Sequence, residues 1–540
     1  MRNFKFIAWL FISTGFLLAE KTIHLEKVVT IPGYYPGDQF GCFIQNVGDI
    51  NNDGYQDLGI TTGAYPDSSH IYPWTQRIDI YYGGSPFDID PDITFWKYVY
   101  MGGAACPYGN MDLNGDGYTD LVISDPRAGY QAGIVWIYLG GKDGPDSIAD
   151  LTLYGEGMRY GFGCFIATGD LNADSYDDLV ISSPSDFIAD YGRVYVYLGA
   201  ETLDGNPDWF YESPDEFANY GGSISCGDMN NDGYDDWIVI ASYSLSEKPA
   251  RLYIYSGGDS LSLNPVFQYE SKQYTGGRTE YISNWNNSEY GMLLTAYLRT
   301  EEINHGVLAI HGSDNFDNFK IDTLISPFGP QDQYFFYGFA QGYLNDDEYK
   351  DIMIESDYYI MDASSICVYL DGSGFSQPDT ILYFRENSDS TWLSLIGTID
   401  LNADGIDEVI IRREVLAEGQ GYWKKYFNYI DIYSHKPFPV ITDKIDNAKK
   451  LKPDKISLKS NYPNPFNVST AIPFEISNPG NVTITIYDLI GRVVAVLTDR
   501  YYDSGKYSLI WNTGDISSGV YFIRMKCGNV QSLKKTVLLK

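Results

Sequence analysis

The sequence predicts an all-β protein, a seven-bladed β-propeller followed by a small Ig-like β-sandwich domain. Three observations support this prediction. A short acidic motif recurs seven times, with starts 56–63 residues apart. Short strands with alternating apolar residues and Gly punctuation follow each copy. Gly and Tyr are abundant, at 54 and 48 residues, and a unit of this length holds about four strands, the content of one propeller blade.

The repeated motif has the form Asp-x-Asn-x-Asp-Gly-x-x-Asp, and we number its residues 1 to 9. A Gly-aromatic segment precedes it and an apolar strand, such as residues 121–123, follows it. We expect residues 22–30 to form a spare strand that completes the sheet of the last blade and closes the ring. An open β-solenoid is the alternative, but it needs shorter repeats and capping ends. The seven copies begin at Asp49, Asp112, Asp170, Asp228, Asn284, Tyr343 and Asp400.

The first 19 residues are predicted to be a secretory signal peptide. Arg2 and Lys5 are followed by an apolar run over residues 6–18, the usual arrangement of such a segment. The run is shorter than the roughly 20 residues that a transmembrane helix needs. No second hydrophobic segment follows, so we expect no transmembrane segment after cleavage.

Charge and composition divide the rest of the chain into three parts. We predict the propeller over residues 20–435, an exposed linker over 436–455 and the sandwich domain over 456–540. The net charge is −35, and the propeller holds all of the negative excess because the other two parts are net basic. An acidic body repels nucleic acid and attracts cations, so we expect no nucleic-acid partner.

The repeated loops carry the donor atoms of a calcium site. In blade 2 the candidate ligands are Asp112, Asn114, Asp116, the Tyr118 carbonyl and Asp120, while Gly at position 6 permits a sharp turn. The loop is not an EF-hand, because its last acid is at position 9 and strands flank it. Asp, Asn and Gly also cap ordinary turns. Five loops with the same acidic pattern argue against turns alone, because clustered carboxylates repel one another without a cation.

Two of the seven loops depart from the pattern. Blade 5 has Asn284, Ser288 and Met292 in place of the three acids, so we expect no calcium there. Blade 6 has Tyr343 at position 1 and keeps Asp351 at position 9, which leaves its capacity for metal open.

With these features together, residues 22–434 resemble the FG-GAP repeat family, the propeller at the head of integrin α-subunits and in many bacterial surface proteins. The matching segments are Phe40-Gly41, residues 62–66 and the acidic loops. The resemblance implies about five Ca²⁺ sites between strands and partner recognition elsewhere on the ring. In the family pattern, the residue at position 7 binds the ion through its backbone carbonyl. Blade 7 departs from this pattern with Ile at position 7 and Glu at position 9. The implied ligands are Asp49, Asn51, Asp53, Tyr55 and Asp57 (blade 1); Asp112, Asn114, Asp116, Tyr118 and Asp120 (blade 2); Asp170, Asn172, Asp174, Tyr176 and Asp178 (blade 3); Asp228, Asn230, Asp232, Tyr234 and Asp236 (blade 4); and Asp400, Asn402, Asp404, Ile406 and Glu408 (blade 7).

Residues 456–540 resemble the type A C-terminal sorting domain of type IX secretion cargo. The motifs lie at 461–467 (Asn-Tyr-Pro-Asn-Pro-Phe-Asn), 486–492, 518–522 and 534–540. Val468 stands where the family often has a second Pro. The resemblance implies recognition by the type IX machinery through this domain. It also implies a secreted protein, or one at the outer-membrane surface of a Gram-negative bacterium.

The sequence favours a calcium-binding adhesion or binding module for a protein or glycan over an enzyme. Aromatic segments at 72–74, 95–96 and 422–423 motivate the binding function, although such residues also pack blades. We assign no catalytic residue, because the five His are scattered and no nucleophile or zinc-protease motif occurs. An enzyme acting on polysaccharide or lipid remains the alternative, by analogy of fold. The six Cys are expected in the core, and their pairing stays open.

Overall fold

The structure, a computed structural model, describes residues 23–441 and 456–540 apart from residue 24 and a set of internal positions. The predicted signal peptide and residues 442–455 of the predicted linker therefore lie outside the described residues. The chain divides into two compact units between Val440 and Ile441. The internal positions left out are 35–37, 64–74, 99–104, 129–131, 143, 146–147, 157–160, 185–191, 214–218, 243–249, 263, 272–278, 284, 286–287, 299–304, 326–333, 336–337, 359–362, 371–377, 385–390, 419–424, 460, 477–479, 489–491, 503–504, 515 and 528–529.

The blades of the first unit are seven antiparallel sheets of four or five strands. Six of them are formed by strands that follow one another along the chain. The strands are β1 (Glu26–Pro32); β2 (Phe40–Gly48), β3 (Asp57–Thr62), β4 (Thr75–Tyr81), β5 (Phe87–Asp88) and β6 (Ile93–Tyr98) for blade 1; β7 (Cys106–Met111), β8 (Asp120–Asp125), β9 (Ile134–Tyr138) and β10 (Leu151–Tyr154) for blade 2; β11 (Ile166–Gly169), β12 (Asp178–Ser183), β13 (Arg193–Tyr197) and β14 (Trp209–Glu212) for blade 3; β15 (Asn219–Gly227), β16 (Asp236–Ser242), β17 (Ala250–Tyr255) and β18 (Phe267–Ser271) for blade 4; β19 (Thr279–Ile282), β20 (Met292–Leu298), β21 (His305–His311) and β22 (Lys320–Ile325) for blade 5; β23 (Tyr334–Phe335), β24 (Phe339–Gly342), β25 (Asp351–Tyr358), β26 (Ala363–Tyr369) and β27 (Thr380–Phe384) for blade 6; and β28 (Thr391–Ile399), β29 (Glu408–Glu418) and β30 (Lys425–Ser434) for blade 7, with β31 (Val440–Ile441) after it.

The seventh sheet is closed by the N-terminal strand, as the sequence predicted. Its order is β1-β30-β29-β28, so the first strand of the unit pairs with the last strand of blade 7. The register pairs Thr30 with Asp431 and Ile31 with Ile430. The strand both begins and ends later than the predicted 22–30: it starts at Glu26 and reaches Pro32, because buried Val29 and Ile31 continue the alternation into the core shared with blade 1.

Each blade packs on the next because its second strand is buried on both faces. All six residues of β3, β8 and β12 are buried, and alternate side chains of such a strand enter opposite interfaces. In β8, for instance, Leu121 joins the core shared with blade 1 and Val122 the core shared with blade 3. One pair of residues from each shared core traces the ring: Ile80 and Leu121, Val122 and Ile181, Val180 and Val239, Ile238 and Leu293, Leu294 and Ile352, Met353 and Val409, Ile410 and Ile44. The predicted seven-bladed propeller is confirmed.

The first strands of the blades form the inner wall of the ring. A central cavity of about 370 Å³ is lined by residues of β2, β24 and β28, among them Gln45, Gln341 and Thr398. The N–H of buried Phe87 in β5 donates to the Pro439 carbonyl at 2.9 Å. Val440, in the segment predicted as linker, packs on the core between blades 7 and 1.

The second unit is a two-sheet β-sandwich. One sheet has the order β32-β33-β36 and the other β35-β34-β37-β38. Their inner faces share one core that includes Phe474, Ile484, Trp511 and Ile523. The strands are β32 (Ile456–Leu458), β33 (Ser469–Ile476), β34 (Gly480–Tyr487), β35 (Val493–Tyr502), β36 (Gly505–Asn512), β37 (Gly519–Cys527) and β38 (Val530–Leu538).

One of the aromatic segments singled out in the sequence is part of the core. Phe95 lies in β6, is 2% exposed, and packs on Tyr138 of blade 2 with ring centroids 4.9 Å apart. It is therefore a blade-packing residue and not a loop residue for a ligand. Segments 72–74 and 422–423 lie outside the described residues. Cys106 and Cys367 are buried, and none of the five described cysteines forms a disulfide.

Candidate calcium loops

The acidic loops all connect the first strand of a blade to its second strand. In blade 1 the loop spans residues 49–57, between the end of β2 at Gly48 and the start of β3 at Asp57. Position 9 is the first residue of the second strand in every blade. The repeat spacing therefore places the seven loops at equivalent points of the seven sheets.

In the blade 1 loop, the side chains at positions 1, 3 and 5 accept hydrogen bonds from backbone N–H groups of the same loop. Oδ1 of Asp49 and Oδ1 of Asn51 accept hydrogen bonds from the Asp53 N–H at 3.0 and 3.1 Å. Oδ2 of Asp49 accepts from the Gly54 N–H at 2.8 Å, and Oδ1 of Asp53 accepts from the Tyr55 N–H at 3.0 Å. Three oxygen-bearing side chains are thus held within a single turn.

The bonds that the position 1 and position 5 carboxylates accept recur in blades 2, 3, 4 and 7, whereas among these four the bond to the position 3 amide oxygen recurs only in blades 2 and 3. The bond from the position 5 N–H to the position 1 carboxylate is 3.1 Å at Asp116, 3.0 Å at Asp174, 3.2 Å at Asp232 and 3.2 Å at Asp404. The residue at position 6 also donates to position 1 in each, at 2.8–3.0 Å. Five loops with one geometry agree with the sequence prediction that they form one structural class.

The backbone is left-handed at two positions of each of these loops. Position 6 has φ +93° at Gly54 and +73° at Ser175, the one blade where a side chain occupies it. A non-glycine residue in this conformation costs on the order of 1–2 kcal/mol. Position 4 is also left-handed, for example at Asn52 and Ala173, which the sequence did not indicate because these residues carry no glycine signal.

The carboxylate at position 9 ties the loop to the end of the third strand. Asp57 is fully buried, with Oδ2 accepting from the Ile50 N–H at 2.9 Å and Oδ1 accepting from the Gly83 N–H at 2.8 Å. Asp120, Asp178 and Asp236 make the same two bonds in their own blades. In blades 1 to 4, the Gly two residues after the third strand therefore pairs with the acid at position 9.

Burial also changes the protonation of the position 9 acid. It raises the pKa of Asp57 to about 8, and repulsion from the carboxylates of Asp53 and Asp49 acts in the same direction. For Asp120 and Asp236 the same causes raise the pKa to about 7. A cation bound in the loop would oppose both effects by favouring the ionised carboxylate.

Blade 7 accommodates a longer acid at position 9. Oε2 of Glu408 accepts from the Leu401 N–H at 2.8 Å, as the aspartates do. Its Oε1 accepts from Asn402 Nδ2 at 2.8 Å and from the Ser434 hydroxyl at 2.9 Å. His435 follows, with Nε2 at 3.7 Å from Oδ2 of Asp404.

The blade 6 loop keeps only part of the arrangement. Oδ1 of Asn345 accepts from the Asp347 N–H at 2.8 Å, and Oδ1 of Asp347 accepts from the Tyr349 N–H at 3.0 Å. Tyr343 supplies no carboxylate at position 1. In blade 5, residues 284, 286 and 287 lie outside the described part of the chain.

The donor set of the five loops suits Ca²⁺, which takes six to eight oxygen ligands. Oδ1 of Asn230, at position 3 of blade 4, is buried without a hydrogen-bond partner among the described residues. A buried amide oxygen of this kind is costly to leave unpaired, and a cation would satisfy it. Across the described residues, no three His, Cys, Asp or Glu side chains already converge as a complete metal site. The full ligand set therefore stays a prediction.

Sequence analysis missed a further acid, at position 8 of three loops. Asp177, Asp235 and Asp407 contact the loop of the preceding blade. Aligning the seven loops brings these aspartates into one column, but the alignment does not show what they contact.

In the second unit, the motif at 461–467 fastens the last strand to the start of the domain. Nδ2 of Asn461 donates to the hydroxyls of Thr470 and Thr536 at 3.0 and 2.7 Å. Oδ1 of Asn464 accepts from the Val537 N–H at 2.8 Å. The two asparagines thus hold β38 in place.

Family models match both units of the chain. Residues 460–539 match the secretion system C-terminal sorting domain, and residues 111–138 and 162–197 match the FG-GAP repeat. The chain therefore carries FG-GAP repeats and a type IX sorting domain, and the protein is secreted or held at the cell surface. Among the described residues, no helix is long and apolar enough to cross a membrane.

Several curated proteins are similar to part of the chain. Integrin alpha-V of Gallus gallus is 34% identical over 163 residues, which is 29% of this chain and 15% of that protein. Integrin alpha-5 of Xenopus laevis is 29% identical over 154 residues, 27% of this chain and 14% of that protein. Phosphatidylinositol-glycan-specific phospholipase D of Mus musculus is 31% identical over 150 residues, 25% of this chain and 18% of that protein. The chain thus spans less than a fifth of the length of each of these relatives.

Among solved structures, PorZ, a surface component of the type-IX secretion system of Porphyromonas gingivalis, covers 92% of this chain and 75% of its own. The identity is 12% and the TM-score is 0.24, so this superposition carries no argument about fold or function.

Proposed function

We propose that the protein is a binding module, secreted or held at the cell surface, whose propeller is braced by calcium in blades 1, 2, 3, 4 and 7. The observation that supports this most is the repetition of one set of bonds in five blades, in which the position 1 carboxylate accepts from the N–H groups of positions 5 and 6. Turn formation alone does not require three carboxylates in each loop.

The proposed role of the ion is to brace the junction between the first and second strands. Side chains at positions 1, 3, 5 and 9 and the carbonyl at position 7 would hold it. The ion supplies positive charge that offsets the repulsion between the loop carboxylates. Because it would bind only the folded loop, it stabilises the blade by mass action.

The proposed ligand is a protein or a glycan bound on the ring, away from the braced junctions. The acidic charge of the chain, −35 in total, disfavours nucleic acid as that ligand. The scattered histidines and the commitment of many acids to the loops favour a binding module over an enzyme. The proposed route of export is the type IX machinery, which would engage residues 456–540.

A lipid-acting enzyme is the second candidate, favoured by the similarity to a phospholipase D over 150 residues. A binding module leaves the bound molecule unchanged, whereas an enzyme converts it to product. The test is to screen the calcium-loaded mature protein against immobilised glycans and cell-surface protein extracts, and in parallel against phospholipid and polysaccharide for turnover. Stable, saturable binding without turnover is expected. Turnover of either substrate without stable binding would contradict the binding function.

A further inference from the structure

The aspartate at position 8 of the blade 3 loop reaches the loop of blade 2. Oδ2 of Asp177 accepts from the backbone N–H of Asp112 at 2.6 Å. In return, the Asp177 N–H donates to the Asp112 carbonyl at 3.0 Å. Both polar groups of the Asp112 backbone are thus held by one residue of the next blade, and Asp112 is position 1 of its own loop.

The same two-point contact occurs twice more. Oδ2 of Asp235 in blade 4 accepts from the Asp170 N–H at 3.0 Å, and its own N–H donates to the Asp170 carbonyl at 2.9 Å. Oδ2 of Asp407 in blade 7 accepts from the Tyr343 N–H of blade 6 at 2.9 Å, and the Asp407 N–H donates to the Tyr343 carbonyl at 2.7 Å. We call this pair of bonds the position 8 clasp. Three independent copies show that it belongs to the repeat and is not an accident of one interface.

At two of the three clasps a glycine stands just before the held loop and leaves space for the carboxylate, whereas Met111 stands there in blade 2. A Cβ on Gly169 would lie 2.5 Å from Oδ2 of Asp235, and a Cβ on Gly342 would collide with Oδ2 of Asp407. A side chain at either position would push the carboxylate away from the N–H that it accepts from. The glycine and the aspartate, on neighbouring blades, therefore act together.

A second bond joins the same pair of blades next to the clasp. The Ala200 N–H of blade 3 donates to the Leu113 carbonyl of blade 2 at 3.0 Å, and the Gly258 N–H of blade 4 donates to the Leu171 carbonyl of blade 3 at 2.8 Å. Positions 1 and 2 of the blade 2 and blade 3 loops are thus fixed from outside their own sheet. Position 1 carries the carboxylate that accepts from positions 5 and 6.

We propose that the position 8 aspartate positions the calcium loop of the preceding blade, so that Asp177 and Asp235 link the sites of blades 2, 3 and 4 in series. The inference rests on the proposed calcium function. It adds a direction to the dependence between sites: each calcium site depends on the blade that follows it along the chain. Asp177 and Asp235 are positioning residues, since they act on the ion through the backbone of position 1.

The series ends at blade 4. Blade 5 has Gly291 at position 8, and the Asp228 carbonyl accepts instead from the Tyr281 hydroxyl at 2.8 Å. In blade 1, Gln56 contributes a backbone bond to the Asp400 carbonyl at 3.3 Å. The blade 4 and blade 7 sites are therefore expected to respond to their neighbours differently from those of blades 2 and 3.

The test is hydrogen–deuterium exchange of the full mature chain with calcium and with a chelator, followed in peptides covering residues 112–120 and 170–178. In Asp177→Ala, the calcium concentration that half-protects 112–120 should rise about tenfold, the equivalent of losing one charge-assisted hydrogen bond. Protection of 170–178, the loop that contains the substitution, should change little. Asp177→Asn should restore most of the effect on 112–120, because its amide oxygen can still accept from the Asp112 N–H.

Gly169→Ala and Asp235→Ala provide the same test one blade further on and keep the inference testable if Asp177→Ala does not fold. Both should weaken calcium protection of 170–178 and spare 228–236. Loss confined to the loop that contains the position 8 aspartate (170–178 for Asp177, 228–236 for Asp235), or no change in either loop, would overturn the linkage. A wild-type chain whose exchange is the same with calcium and chelator would instead overturn the proposed calcium function.

Discussion

Two substitutions in one loop separate the structural role of an acid from its role toward calcium. Asp116, at position 5 of blade 2, is exposed and accepts from the Tyr118 N–H at 3.0 Å and Asn114 Nδ2 at 2.9 Å. Asp120, at position 9, is fully buried and accepts from the Leu113 N–H at 2.8 Å and the Gly140 N–H at 2.6 Å. Water can replace the bonds of Asp116 but not those of Asp120.

The expected losses of unfolding free energy follow from this difference. Asp120→Ala leaves two enclosed N–H groups without partners, at about 1–3 kcal/mol each, so about 2–6 kcal/mol is lost even in a chelator, where no ion is bound. Asp116→Ala should cost less than about 1 kcal/mol in a chelator, because water replaces its exposed bonds. With calcium at a hundredfold excess over Kd, it should lose about 2.7 kcal/mol more, the contribution of one bound ion.

The assay is urea unfolding of each variant, followed by fluorescence, in calcium and in a chelator. Asp347→Ala is the matched control, because it removes the position 5 acid from the blade 6 loop, where position 1 is Tyr343. Its loss should be the same in both conditions. If Asp116→Ala loses as much free energy in the chelator as in calcium, the acid is part of the turn alone and the account of the loop is wrong.

Three further predictions concern other parts of the chain. Ile31→Asp should destabilise the propeller by several kcal/mol, because it places a charge in the core where β1 closes the ring. The loss of stability is measured as faster cleavage in limited proteolysis, with the exposed substitution Glu26→Gln as the control. Burial lowers the pKa of Lys97 to about 7, so between about pH 7 and 10 the unfolded chain binds a proton that the folded chain lacks. The free energy of unfolding should therefore rise with pH in this range, by up to about 1.4 kcal/mol per pH unit. Lys97→Met should remove that rise when thermal unfolding is followed against pH, and an unchanged pH profile would refute the assignment to Lys97. Asn461→Ala should release β38 and lower both the melting temperature of the sorting domain and the amount of protein exported, whereas exposed Asn467→Ala should leave both unchanged.

The number of blades and the way the ring closes could be predicted from the sequence, because both depend on patterns of residues close together along the chain. The spacing of the motif sets the length of each unit, and the alternation in β1 continues past Val29 to Ile31. The second strands, such as β8, were recognisable as apolar runs because both of their faces are covered by neighbouring blades.

Contacts between blades could not be predicted in the same way. Position 8 acids look like ordinary polar loop residues, and only the fold shows that Asp177 reaches Asp112 in another blade. Phe95 was misassigned for a similar reason: a strand residue packed on Tyr138 and a loop residue free for a ligand have the same local sequence signal. The left-handed backbone at Ala173 carries no signal at all, because alanine rarely adopts it.

The central claim is that five loops of one geometry hold calcium, and the number of calcium ions bound per chain tests it most directly. Equilibrium dialysis of the mature protein against calcium, with metal measured by atomic spectroscopy, gives that number. The account predicts about five ions per chain, one for each loop with acids at positions 1, 5 and 9. A folded chain that binds no calcium at millimolar concentration would contradict it.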